Sequence, residues 1–125
     1  MAPAAVMMPW PRLEGPRPLA RQPNELDHRR IRRAIEGRRR YRYVTPRVLA
    51  AEGGYRIVSP NCSRNIDPHG GEIDIALIHY AQSVGLWRLF YRDHRAGQWC
   101  IAGEAPQLAP LLAELSADPA RRFWP

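Results

Sequence analysis

The spacing of apolar and polar residues along the chain predicts a sheet of short strands. Five stretches alternate between the two classes or are rich in β-branched and aromatic residues, at 41–45, 55–59, 73–80, 86–92 and 98–102. Pro46 would end the first stretch, and Gly53 with Gly54 would form the turn before the second. The last two stretches are separated by residues 93–97, a length typical of a hairpin loop.

Alternation within the longest stretch, 73–80, predicts which side chains share a face. One face would carry Ile73, Ile75 and Leu77, and the other would carry Asp74, Ala76, Ile78 and Tyr80. In 86–92 the same rule separates Trp87, Leu89 and Tyr91 from Arg88, Phe90 and Arg92. Aromatic residues in such strands usually fill the core. If one face is uncovered, however, the Arg-Phe-Arg stripe would suit base stacking and phosphate binding.

A helix is predicted at 24–36, before the strands. Asn24 is a good N-cap, Asp27 follows three residues later, and Gly37 can take the left-handed conformation at the helix end. The apolar half of the helical wheel contains Leu26, Ile31, Ala34 and Ile35, and the outer half contains Arg29, Arg32, Arg33 and Glu36. This pattern is typical of a surface helix with a basic outer face.

A second helix is predicted after the strands. Leucines at 108, 111, 112 and 115 follow the spacing of one helical face, so these side chains should pack against the sheet. Proline favours the first turn of a helix, and either Pro106 or Pro110 could mark the start. The pair at 118–119, Asp-Pro, would end the helix.

The order of helix, strands and helix, with short links, predicts an α+β fold. We expect an antiparallel sheet of four to five strands, flanked by an N-terminal basic helix and a C-terminal amphipathic helix. These elements would form a single domain at 24–125. Residues 1–23 contain six of the thirteen prolines and are predicted to be a disordered leader.

Positive charge is concentrated in the first third of the chain. Residues 12–47 contain twelve arginines and four acids, whereas residues 48–125 contain seven arginines and eight acids. Such asymmetry indicates an acidic partner, and nucleic acid is the first candidate. The chain has 19 arginines and no lysine, so a compositional bias towards arginine is an alternative explanation of the high count.

The basic segment is therefore the first candidate site. Guanidinium groups bind phosphates in bidentate geometry, and tyrosine rings can stack on exposed bases. The predicted nucleic-acid-binding residues are Arg29, Arg32, Arg33, Arg38, Arg39, Arg40, Tyr41, Arg42 and Tyr43. Two alternatives stay open. The same arginines could bind an acidic protein partner, or they could form a solvated face on which Glu25 pairs with Arg29 and Glu36 with Arg40.

The polar loop that follows residue 60 is the second candidate site. Its chemically relevant residues are Asn61, Cys62, Arg64, Asp67, His69 and Glu72. A thiol near an imidazole and carboxylates could serve a thiol-dependent enzyme, but these residue types also dominate ordinary turns. The sequence has no Cys-x-x-Cys or His-x-x-x-His pair, and we expect no metal, no cofactor and no catalytic residue. A non-enzymatic binding protein is the favoured interpretation.

The sequence also bears on location. No apolar run approaches the ~20 residues that a membrane-spanning helix needs, so no membrane partner is expected. The start of the chain is a poor signal peptide, because no basic residue precedes its short apolar stretch. Cys62 and Cys100 are then expected to be reduced thiols in the cytoplasm.

The most distinctive combination in the chain consists of four motifs. They are a tryptophan-bearing hairpin at 86–99, a leucine-rich helix, the Asp-Pro pair at 118–119 and a closing Phe-Trp pair at 123–124. On these motifs, the chain from about Asp27 to its end resembles the domain-of-unknown-function 3024 family of small bacterial proteins. The segment at 55–57 with its following polar loop also fits. The resemblance implies no known activity, cofactor or catalytic residue, and the proline-rich leader lies outside it.

Overall fold

The computed structural model describes residues 21–61 and 71–124. Its elements are helix α1 at Glu25–Glu36, strands β1 at Arg47–Ala51, β2 at Gly54–Pro60, β3 at Glu72–Ala81, β4 at Leu86–Asp93 and β5 at Gln98–Ala105, and helix α2 at Ala109–Ala117. The five strands form one sheet in the order β1-β2-β3-β4-β5, and each pair of neighbours is antiparallel. The predicted α+β class, with a helix at each end of an antiparallel sheet, is confirmed.

Both helices contribute to one core on one face of the sheet. Ile31 and Ile35 of α1 are buried together with Leu108 and the three leucines of α2. They pack with sheet residues that include Tyr55, Ile57, Ile75, Ile78 and Leu89. The predicted burial of all four leucines is confirmed. Neither described helix has the length and apolar character that crossing a membrane requires.

The N-terminus of α1 is held by a cap and by a contact to the sheet. The Asn24 side chain accepts a hydrogen bond from the backbone N–H of Asp27 at 2.8 Å. The backbone N–H of Asn24 in turn donates to the Tyr55 hydroxyl at 2.8 Å, which ties the helix start to β2. Gly37 has φ −89°, so its predicted left-handed conformation is wrong. Leu26, predicted on the apolar half, is exposed.

The predicted strand at 41–45 is wrong. The first strand is β1, and the chain before it winds around the side chain of Arg38. This guanidinium donates to the carbonyl oxygens of Ile35, Tyr41 and Val44 at 2.7, 2.8 and 2.7 Å. Tyr41 has φ 60°, a left-handed conformation that reverses the chain. The chain at 41–44 therefore bends around a side chain instead of extending beside a neighbouring strand.

A β-bulge in β3 changes which of its side chains face the helices. Ile75 is the extra residue between the pairs Ile57–Ala76 and Val58–Asp74. The buried positions of β3 on the helix side are consequently Ile73, Ile75, Ala76, Ile78 and Tyr80. Strict alternation, which placed Leu77 with Ile73 and Ile75, is therefore wrong beyond the bulge. Leu77 faces away from the helices.

The turns and the α2 start agree with prediction. Gly53 has φ 73° between β1 and β2, and a Cβ on Gly54 would lie 1.9 Å from the carbonyl oxygen of Ile78, so only glycine fits there. Between β4 and β5, the Asp93 carboxylate accepts from the backbone N–H groups of Arg95 and Ala96. Helix α2 has Pro110 in its first turn, which selects the later of the two possible starts.

Asp118 ends α2 and holds the C-terminal tail against the core. Its φ is 46°, and its buried carboxylate accepts from the backbone N–H groups of Arg122, Phe123 and Trp124 at 2.7, 3.2 and 3.0 Å. Phe123 and Trp124 are thereby buried in the core, and the Trp124 indole N–H donates to the carbonyl of Leu115 at 2.9 Å. The leader prediction concerns mainly residues 1–20, which lie outside the described part of the chain.

Candidate polyanion-binding surface

The exposed face of α1 and the segment after it carry a group of unpaired arginines. We call this group the arginine surface; its members are Arg29, Arg32, Arg33, Arg39 and Arg42, all exposed. Within the described residues, none of the five forms an ion pair. The alternative in which Glu25 pairs with Arg29 and Glu36 with Arg40 has no ion pair to support it there. Among the described residues, no ion pair therefore balances the positive charge of the arginine surface.

Arg38, predicted as a binding residue, is part of the interior. It is only 5% exposed, and its guanidinium lies over the Trp124 ring, 5.0 Å from the ring centre. Burial lowers the pKa of Arg38, and the nearby charge of Arg42 lowers it further. Together with its three bonds to carbonyl oxygens, this placement makes Arg38 an organiser of the turn that presents Arg42.

Arg40 and Tyr41 are also engaged within the fold. Arg40 donates to the backbone carbonyl of Asp118 and lies 3.6 Å from its carboxylate. Tyr41 is buried, and its hydroxyl donates to the carbonyl of Pro60 at 3.1 Å. Tyr43, in contrast, is 74% exposed. Of the two tyrosines predicted to stack on bases, the structure leaves only Tyr43 accessible.

An open cleft adjoins the arginine surface. Its volume is about 250 Å³, and it is lined by Arg32, Ile35, Glu36, Arg38, Arg42, Val44, Thr45 and Pro46. Three of these residues are arginines and one is an acid, so the lining is net positive. Val44 and Thr45 belong to the predicted strand at 41–45, and Pro46 to its predicted end. The turn around Arg38 brings them beside α1, and no local pattern signals that approach.

The predicted residues of the polar loop are only partly described. Cys62, Arg64, Asp67 and His69 lie outside the described residues. The backbone N–H of Asn61 donates to the carbonyl of Gly71 at 2.7 Å, which closes the loop at its base. Glu72 is exposed and accepts from Arg47 at 2.6 Å. The thiol-enzyme alternative therefore stays a prediction.

Among residues 21–61 and 71–124, no group of three or more histidine, cysteine, aspartate or glutamate side chains is arranged to hold a metal ion. Cys100, on β5, is partly buried and free. His28 is occupied by a hydrogen-bond contact of its Nε2 with the carbonyl of Val48 at 2.8 Å.

Comparison with known proteins places this architecture in a family. A family model described as a domain of unknown function (DUF3024) matches residues 19–125. The chain belongs to the DUF3024 family. The match includes both helices, all five strands and the whole arginine surface, so the candidate site lies inside the DUF3024 domain. No curated protein and no solved structure gives a significant match.

Proposed function

We propose that this protein is a small non-enzymatic binding protein that holds nucleic acid on the arginine surface, in the bacterial cytoplasm. One observation carries the proposal. The five arginines of that surface are exposed and unpaired among the described residues. On the opposite side of the sheet, by contrast, the described arginines of the strands are paired with carboxylates.

The chemistry of the surface suits a phosphate backbone. Arg29 lies one turn before Arg32 and Arg33 on the outer half of α1, and the guanidinium fork can bind phosphate oxygens in pairs. Arg42 lines the same cleft as Arg32 and adds a further charge. None of the five arginines has an ion pair with a described residue to give up when it binds phosphate. Arg42 does donate one hydrogen bond, to the carbonyl of Arg38 at 3.2 Å.

Tyr43 extends the proposal to single strands. Its ring is exposed next to Arg42, and tyrosine stacks on any unpaired base. Stacking needs a free base face, which a duplex does not present. We therefore expect Tyr43→Ala to weaken binding of single-stranded DNA more than binding of duplex DNA of the same sequence.

Salt dependence of binding is the direct test. If roughly four to five arginines each neutralise one phosphate, the log–log slope of the binding constant against salt concentration should be about −3 to −5. Arg29→Glu and Arg33→Glu should each flatten the slope by roughly one and weaken all sequences alike. Fluorescence anisotropy with labelled oligonucleotides at several salt concentrations measures both quantities.

Arg95→Glu provides the matched control, because Arg95 is exposed in the turn between β4 and β5, away from the arginine surface. It should leave the slope unchanged. Circular dichroism should show that all variants stay folded, since these side chains face solvent. Absence of any binding at low salt by the folded protein would refute the proposal and favour an acidic protein as the partner of the same arginines.

A further inference from the structure

The sheet face opposite the helices carries a row of apolar side chains. Strand register places Leu49 of β1, Leu77 of β3, Phe90 of β4 and Ile101 of β5 in one line across the sheet, with Arg56 of β2 between the first two. We call this line the outer row. None of its apolar members belongs to the core cluster, and no described helix covers them. Ile101 is 52% exposed, which is high for a large apolar residue.

Ion pairs surround the outer row. Arg47 pairs with Glu72, Arg56 with Asp74 and Arg88 with Glu104, each at 2.6 Å, and Arg92 also approaches Asp74 at 3.9 Å. Four arginines therefore face three carboxylates, and the charge of this surface is nearly balanced. Phosphates would be repelled by the carboxylates and would have to break existing pairs. The sheet face that carries the outer row, which we call the outer face, consequently differs from the arginine surface in having a nearly balanced charge.

We infer that the outer face binds a second copy of this chain. The formal net charge of the protein is +7, so two copies repel each other over most approaches. The outer face adds little to that repulsion, because its four arginines are paired with three carboxylates. Its apolar row can pack on the same row of the partner, and its flanking arginines and carboxylates can exchange pairs across the contact. A surface that complements itself in this way is what a two-fold dimer requires.

The size of the face agrees with this occupant. Five strands about 4.8 Å apart and about seven residues long cover roughly 24 Å by 24 Å, so two copies would bury about 1,200 Å² in total. That value is at the lower end of the range for specific interfaces. Because the helices lie on the other face of the sheet, the dimer would present two arginine surfaces directed away from each other.

Sedimentation equilibrium of the full chain at rising concentration tests the inference. The expected result is a monomer–dimer equilibrium in which Ile101→Glu raises the dissociation constant by about tenfold or more, because an unpaired charge enters an apolar contact. Val84→Glu is the matched control. Val84 is 55% exposed but lies in the turn between β3 and β4 rather than in the outer row, so this change should leave dimerisation within about twofold.

A charge swap provides a second, independent variant. Arg88→Glu puts two acids side by side and should also weaken the dimer. The double variant Arg88→Glu/Glu104→Arg restores both the local pair and the charge balance, and should recover association. A protein that stays monomeric at all concentrations would overturn the inference, as would a dimer that neither Ile101→Glu nor Arg88→Glu affects. So would binding of single-stranded DNA that is lost in Ile101→Glu but kept in Arg33→Glu.

Discussion

Replacing Asp118 by alanine should destabilise the fold by about 3–5 kcal/mol. The Asp118 carboxylate is 1% exposed and accepts from three backbone N–H groups of the tail, at Arg122, Phe123 and Trp124. Each buried donor left without an acceptor costs about 1–3 kcal/mol. The left-handed backbone at this position adds about 1 kcal/mol for alanine, since aspartate and asparagine tolerate it better. The terminal tail relaxes after the substitution, so the total loss of stability is smaller than the sum of these separate costs.

Two matched substitutions make the test specific. Asp118→Asn keeps one carbonyl oxygen and the left-handed tolerance, so it should cost only about 1–2 kcal/mol. Asp93→Ala removes a carboxylate that accepts from two N–H groups in an exposed turn, and should cost less than about 1 kcal/mol. Urea unfolding followed by circular dichroism measures all three changes.

The result that would refute the reasoning is a loss below about 1 kcal/mol for Asp118→Ala with an unchanged urea slope. It would mean that the tail is not held by this carboxylate. If the reasoning is correct, loss of Trp124 from the core should also loosen the turn around Arg38, which lies over that ring. The Asp118→Ala variant, kept folded at low temperature, should then show faster amide exchange at residues 41–44 than Asp118→Asn does.

Two further predictions concern the core and the pH dependence of stability. Leu112→Ala should cost about 2–5 kcal/mol in urea melts, whereas Leu26→Ala, on an exposed position of α1, should cost less than about 0.5 kcal/mol; equal losses would contradict the assignment of the α2 face to the core. Burial lowers the pKa of His94 below its ordinary 6.5, Arg92 lowers it further, and Asp74 and Asp93 partly oppose this. As pH falls, the unfolded chain therefore binds a proton at His94 before the folded chain does. The contribution of His94 to stability is consequently full above pH 6.5 and declines as pH falls through that value. His94→Gln should flatten that part of the urea-midpoint profile against pH, and an unchanged profile would contradict the burial argument.

The fold could largely be predicted from sequence because its elements have strong local signals. Asn24 and the apolar spacing after it define α1, and the leucines of α2 keep a regular helical interval. The hairpin at 93–97 and the turn at Gly53 follow from residues that favour reversed backbone. Capping, periodicity and turn formation depend on neighbours within a few positions, so a sequence pattern is sufficient to predict them.

The errors arise where side-chain packing or strand pairing competes with a local pattern. Alternating tyrosines indicate a strand at 41–45, but the chain there turns around the buried guanidinium of Arg38, which donates to the carbonyl oxygens of Tyr41 and Val44. Alternation in β3 fails at Ile75, because the pairing with β2 accommodates one extra residue. Both outcomes depend on contacts that only the packed structure creates.

The candidate site likewise has one property that the sequence determines and one that the tertiary structure determines. The sequence by itself determined that positive charge is concentrated in one segment, since net charge is a count. Only the tertiary structure decided which of those charges are accessible. Arg38 serves the turn, Arg40 serves the Asp118 cap, and Arg29, Arg32, Arg33, Arg39 and Arg42 remain exposed. Charge is a property of each residue, whereas exposure depends on what the rest of the chain packs against it.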